Sequence, residues 1–119
     1  MRILIVDDQP TNRQLPAAIL RRLGHTVAEA VDGEAALTWL ATEQADCVLL
    51  DISMPGLSGD EVCRRIRADA RLQGLRVVAY TAHALHGDEQ RIMQAGFDSV
   101  LVKPISRASL LSALDLPAP

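Results

Sequence analysis

Between residues 47 and 55 the chain reads Cys47-Val48-Leu49-Leu50-Asp51-Ile52-Ser53-Met54-Pro55, an apolar run that ends in one carboxylate and then breaks at a proline. A strand with one wet face alternates apolar and polar residues. This run does not alternate, so it suits the centre of a parallel sheet covered on both sides. Asp51 would then stand where the strand's carboxyl end meets solvent, the edge at which open α/β sheets hold their ligands. Three more short runs have the same form: Ile3 to Val6 ends in Asp7-Asp8, Leu75 to Tyr80 in Thr81, and Ser99 to Val102 in Lys103-Pro104. Thr26 to Ala30 reads as a fifth strand.

Helical patterns lie between these runs. Thr11 to Leu23 carries Leu15, Ile19 and Leu23 at i, i+4, i+8 with Leu20 beside them, and Gly24 is placed to stop it. Pro16 predicts a kink or a late start in that helix, because proline is tolerated only in the first turn. Asp32-Gly33 opens a second helix with Ala36, Leu37 and Leu40 inward and Trp39 at its edge. Ser58 and Glu61 have capping-box spacing ahead of a third, in which Val62, Cys63 and Ile66 face the core and Arg64, Arg65 and Arg67 form a solvated face. His86 to Ala95, stopped by Gly96, is a shorter fourth. Ser106 caps a fifth, whose stripe is Leu110, Leu111 and Leu114.

Five strands alternating with five helices predict a doubly wound, five-stranded parallel sheet of the flavodoxin-like order 2-1-3-4-5, since parallel neighbours need crossover helices. The switch point then falls between strands 1 and 3, which end in Asp7-Asp8 and Asp51. With 119 residues the chain makes one domain, 1–115, followed by 116–119 as a tail or the start of a linker. Twelve basic and fifteen acidic residues give a net charge of −3, which supplies no field for nucleic acid. The apolar run after Met1 stops at Asp7, too short for a signal peptide or membrane span, so the chain reads as cytoplasmic with no membrane contact of its own. Cys47 and Cys63 lack metal or disulfide spacing and read as small buried hydrophobes; His25 and His86 read as surface residues. Eleven basic residues are arginine and only Lys103 is lysine, so a compact ammonium is called for at that position.

Three carboxylates crowded at one sheet edge repel by several kcal/mol at about 4 Å and an effective dielectric of ~20, so something positive belongs among them. Oxygen ligands without His or Cys favour Mg²⁺, bound directly by Asp8 and Asp51, by the Ser53 carbonyl, and by Asp7 partly through water. A metal-bound carboxylate beside a hydroxyl and an ammonium is equipped to accept a phosphoryl group. Asp51 is then the nucleophile, with Thr81 and Lys103 stabilising charge on the equatorial oxygens.

The pair Asp7-Asp8, the segment Asp51-Ile52-Ser53-Met54-Pro55-Gly56 with Gly59 after it, Thr81-Ala82, and Lys103-Pro104 together resemble the receiver domain of two-component response regulators. The match runs over nearly the whole chain. Asp8-Gln9-Pro10-Thr11-Asn12-Arg13, Leu23-Gly24-His25 and Thr81-Ala82-His83-Ala84-Leu85 look most like receivers attached to hybrid sensor histidine kinases. The resemblance implies that Asp51 takes its phosphoryl group from a histidine of a partner kinase or phosphotransfer protein, and that the Lys103-Pro104 bond is cis. It also implies a switch in which Thr81 moves toward the phosphoryl group and the face formed by strand 4, helix 4 and strand 5 responds. Receivers commonly carry an aromatic residue three positions before the lysine, and here Val100 stands there. Ser53 and His83, each two residues beyond a catalytic position, and Ala82 between Thr81 and His83 are expected to help set the lifetime of the phosphorylated state, or for His83 to be an exposed loop residue. A weak homodimer is compatible with the sequence.

Two other functions fit the residues less well. A phosphohydrolase using a phospho-aspartate would need a second acid/base carboxylate beside Asp51 and a cap, where the chain has Ile52 and Ser53 and no long insertion. A binding module of this fold, either a flavin carrier or a receiver-like scaffold that is never phosphorylated, fits poorly with few aromatics and an intact set of Asp7, Asp8, Asp51, Thr81 and Lys103. As an isolated domain the chain would catalyse only its own phosphorylation and dephosphorylation.

Overall fold

The computed structural model describes residues 1–52, 54, 56–82 and 88–116. Five strands, β1 (Arg2–Val6), β2 (Thr26–Ala30), β3 (Cys47–Asp51), β4 (Arg76–Thr81) and β5 (Ser99–Val102), form one sheet in the order β2-β1-β3-β4-β5. All four pairings are parallel. Between and after them run α1 (Pro10–Arg22), α2 (Gly33–Thr42), α3 (Gly59–Ala68), α4 (Asp88–Gln94) and α5 (Arg107–Ala113), with a 3-10 turn at Ala70–Leu72. Fold and order are those read from the sequence.

Alternation along the strands sorts the core into two layers. Leu4, Val6, Val48, Leu50, Val77 and Ala79 pack under α2, α3 and α4 with Ala36, Leu40, Val62, Ile66 and Ile92. Ile3, Ile5, Cys47, Leu49, Val78, Tyr80 and Leu101 pack under α1 and α5 with Ala17, Leu20, Leu110, Leu111 and Leu114. Every residue of β3 is buried, as an unalternating run requires.

Several local readings change. The first helix starts at Pro10, where a missing N–H costs nothing, and continues through Pro16. Its inward face is Pro16, Ala17 and Leu20, whereas Leu15 is 50% exposed. The helix is turned so that Pro16 and Ala17, one and two residues on, face the sheet in place of Leu15. Ser58 caps α3 by accepting from the Glu61 N–H at 3.3 Å, but the Glu61 carboxylate turns to Arg64 and Arg65, so the capping box is half made. The full box occurs in α5, where Ser106 and Ser109 cap reciprocally. Leu116, expected to begin the tail, is buried in the α1–α5 layer and its N–H donates to the Leu111 carbonyl at 2.8 Å; residues 117–119 lie outside the described residues.

Arg64 and Arg65 lie on the solvated face of α3, but Arg67 does not. Its guanidinium donates to the carbonyls of Gly96 at 2.8 Å and Leu75 at 2.6 Å and to Asp98 Oδ2 at 2.7 Å. Asp98 Oδ2 also accepts the Val77 N–H at 2.8 Å, so one cation ties the end of α3 to the starts of β4 and β5. Removing it orphans partly buried acceptors. Arg67→Met is therefore expected to cost about 2–3 kcal/mol in urea unfolding and Arg65→Met less than about 0.5 kcal/mol.

Candidate functional site

The parallel register brings the strand ends together. Val6 lies opposite Leu50, Asp51 opposite Tyr80, and Thr81 opposite Val102, so the residues that follow β1 and β5 meet the last residues of β3 and β4 at one edge. The Asp7 N–H continues the ladder to the Ala30 carbonyl at 3.2 Å, and the Lys103 N–H does so to the Thr81 carbonyl at 2.8 Å. Functional side chains thus stand on backbone that the sheet already fixes.

Asp7, Asp8 and Asp51 gather with one carboxylate oxygen of each within 4.8 Å of the others. Asp7 is fully buried, Asp51 is 5% exposed and Asp8 is half-buried. Asp7 is held from two sides: its Oδ1 accepts the Gln9 N–H at 2.9 Å, and its carbonyl accepts Arg13 Nη1 at 2.6 Å. Arg13 in turn pairs with Glu29 on β2 at 3.1 Å, which anchors the turn into α1. Lys103 reaches in with Nζ 3.1 Å from Asp7 Oδ2 and 3.9 Å from Asp51 Oδ2. One ammonium facing three carboxylates leaves two negative charges in excess, and the donors are all oxygen. That set fits a hard divalent cation.

Thr81 is buried at the end of β4, in the alternation of Val77 and Ala79, while Tyr80 falls on the α1–α5 side. The Lys103-Pro104 bond is cis, as expected. Val100 packs partly buried against the layer that contains Ile92 of α4, and Ala82 is exposed. Ser53 and His83, singled out in the sequence, lie outside the described residues, as does His86. Gly59 at the start of α3 has a plain steric reason: a Cβ there would run into the Asp51 carbonyl oxygen and stand 2.6 Å from Ile52 Cα. Only glycine lets the helix approach the strand end that carries Asp51.

Sequence reasoning passed over Tyr80. Lys103 Nζ lies over its ring, 4.4 Å from the centroid, and its hydroxyl donates to the Asn12 carbonyl at 3.4 Å. Alternation would have found it, because Tyr80 shares the layer of Leu101, two residues before Lys103. Burial, then the charges of Asp7 and Asp51, push the phenol from the ordinary value of 10 up to about 12. Away from the site, burial also raises both thiols, Cys63 to about 11, consistent with inert core cysteines.

The family model for the response regulator receiver domain matches residues 3–115. The chain is 38% identical over 112 residues to the sensor protein GacS of Pseudomonas syringae, an alignment covering 92% of this chain and 12% of that protein. It is 40% identical over 116 residues to the chemotaxis protein CheY of Pseudomonas aeruginosa, covering 97% and 94%. The chain thus spans about an eighth of the length of the sensor kinase and nearly all of the chemotaxis protein. Among solved structures it is similar to the receiver domain of a Pseudomonas aeruginosa sensor histidine kinase that has a magnesium ion coordinated in its active-site cleft. That pair shares 35% identity and a TM-score of 0.85, covering 96% of this chain and 97% of the other.

Tyr80 is the only tyrosine, so tyrosinate absorbance reports it alone. The native protein is expected to titrate near pH 12 and the unfolded chain near 10. A folded-state pKa above the unfolded one means that this group's contribution to stability is complete below pH 10 and is lost as pH rises through about 12.

Proposed function

The chain belongs to the response regulator receiver domain family, and from that premise we propose that it takes a phosphoryl group from a phosphohistidine onto Asp51. The observation that carries this reading is the cluster of Asp7, Asp8 and Asp51 within 4.8 Å, with Lys103 Nζ 3.9 Å from Asp51. An Asp51 carboxylate oxygen forms the new bond to phosphorus as the phosphorus–nitrogen bond of the donor breaks, and the imidazole leaves with that electron pair. Lys103 places its charge where the equatorial oxygens gather negative charge, and the Thr81 hydroxyl donates there as well. Mg²⁺, held by Asp8 and Asp51 with Asp7 behind, would supply the remaining positive charge; the Ser53 carbonyl, outside the described residues, completes the set expected from the sequence.

The donor is a histidine kinase or histidine phosphotransfer protein, and the domain works in the cytoplasm as a signalling module. No described helix is long and apolar enough to cross a membrane. Residues 1–115 with the buried Leu116 form the receiver, and the likeness to a stretch of a sensor kinase supports a place within or beside such a protein. Phosphorylation adds nearly two negative charges. The response runs from Thr81 into the face of β4, α4 and β5, where Val100 packs against the layer holding Ile92. An aliphatic residue at that position replaces the aromatic readout usual in the family, while Ala82, His83 and Ser53 tune the lifetime of the modified state.

Incubation with acetyl phosphate, read by intact mass spectrometry, tests the reading. A single alkali-labile phosphoryl adduct that requires Mg²⁺ and is lost in Asp51→Asn is expected. A folded protein that binds Mg²⁺ and takes up no phosphoryl group would instead be a receiver-like scaffold.

A further inference from the structure

Lys103 has a long flexible stem and must stand between two buried carboxylates, Asp7 and Asp51. Ion pairing alone fixes where its charge is drawn but leaves several stem conformations open. The ring beneath it removes that freedom. Tyr80 is 3% exposed, and its face carries Nζ at 4.4 Å from the centroid, within the range at which a ring quadrupole attracts a cation.

The ring is itself held. In α1 the carbonyl of Asn12 would ordinarily accept the N–H of residue 16, which is proline and has none. The Tyr80 hydroxyl donates to that carbonyl at 3.4 Å. A proline inside a helix, otherwise a cost, thus leaves an acceptor for the phenol. Next to these groups lies a cleft of about 400 Å³, lined by Thr11, Leu15, Ala82 and Ile105 as well as by Asn12, Tyr80 and Lys103.

We propose that Tyr80 is a positioning residue for Lys103, its ring seating the ammonium over Asp7 and Asp51 and its hydroxyl locked by the Asn12 carbonyl that Pro16 leaves open. The functional part of this inference rests on the phosphoryl-acceptor reading; the seating itself does not. Tyr80 touches no reacting atom and acts through Lys103.

Lys103 is the only lysine, so protein grown with lysine ¹³C-labelled at the ε carbon gives one side-chain signal. In the wild-type protein the ε protons are expected upfield of free lysine, inequivalent, and in cross-relaxation with the tyrosine ring. Tyr80→Phe, which keeps the ring and loses the hydroxyl's hold, is expected to weaken that signature and Tyr80→Leu to collapse it. With acetyl phosphate, the rate of uptake is expected to fall about tenfold in Tyr80→Leu and less than about twofold in Tyr80→Phe, the range a desolvated cation–ring contact spans. A wild-type lysine signal at the free position overturns the proposal without any variant. So does a Tyr80→Leu protein with an unchanged signal, or a Tyr80→Phe protein that loses uptake as fully as Tyr80→Leu. Wild-type protein with the upfield signature and no uptake at all would contradict the acceptor reading and leave the seating established.

Discussion

The arrangement depends on one unfavourable interaction, the mutual repulsion of Asp7, Asp8 and Asp51. With oxygens within 4.8 Å, each pair opposes folding by on the order of 3 kcal/mol at an effective dielectric of ~20. The sheet imposes this. Because β1 and β3 are neighbours in register, their carboxyl ends cannot separate without breaking the ladder that buries Ile3 to Val6 and Cys47 to Leu50. Hydrophobic burial along two central strands holds the carboxylates together, and Lys103 from β5 neutralises only one charge. The residual negative field is one that suits a hard divalent cation.

The sheet and this edge were legible in the sequence for the same reason. Central parallel strands must be apolar throughout, so each polar residue that ends a run marks where a strand emerges, and Asp7, Asp51, Thr81 and Lys103 are such residues. Strand order followed from the alternation of runs and helices. What could not be read depended on which of several similar residues wins a contact. Leu15 has the right period and size for the core, yet Pro16 and Ala17 take the inward face and Leu15 lines the cleft beside Lys103. Arg67 looks like Arg64 and Arg65 until the loops that carry Gly96 and Leu75 are seen to end beside it. Glu61 has capping-box spacing but two arginines within reach, and they take it.

Two positions flank this edge from opposite layers. Val100 packs partly buried against the layer that holds Ile92 of α4. The ring of Tyr80 lies in the opposite layer and points toward α1 through the Asn12 carbonyl. Tyr80 thus meets the lysine from the α1 side. Gly59 completes the frame, since α3 can close on the Asp51 strand end only where no Cβ intervenes.

The most direct test of this account is urea unfolding of the wild-type protein and Asp51→Asn, each with and without Mg²⁺. If the fold holds repelling carboxylates together, the asparagine variant is more stable than wild type in the absence of divalent ions, by about 1–3 kcal/mol. Saturating Mg²⁺ then stabilises wild type, by about 2.7 kcal/mol at a hundredfold excess over Kd, and the variant much less. A variant less stable than wild type without Mg²⁺, together with a wild-type protein indifferent to the ion, would contradict the account.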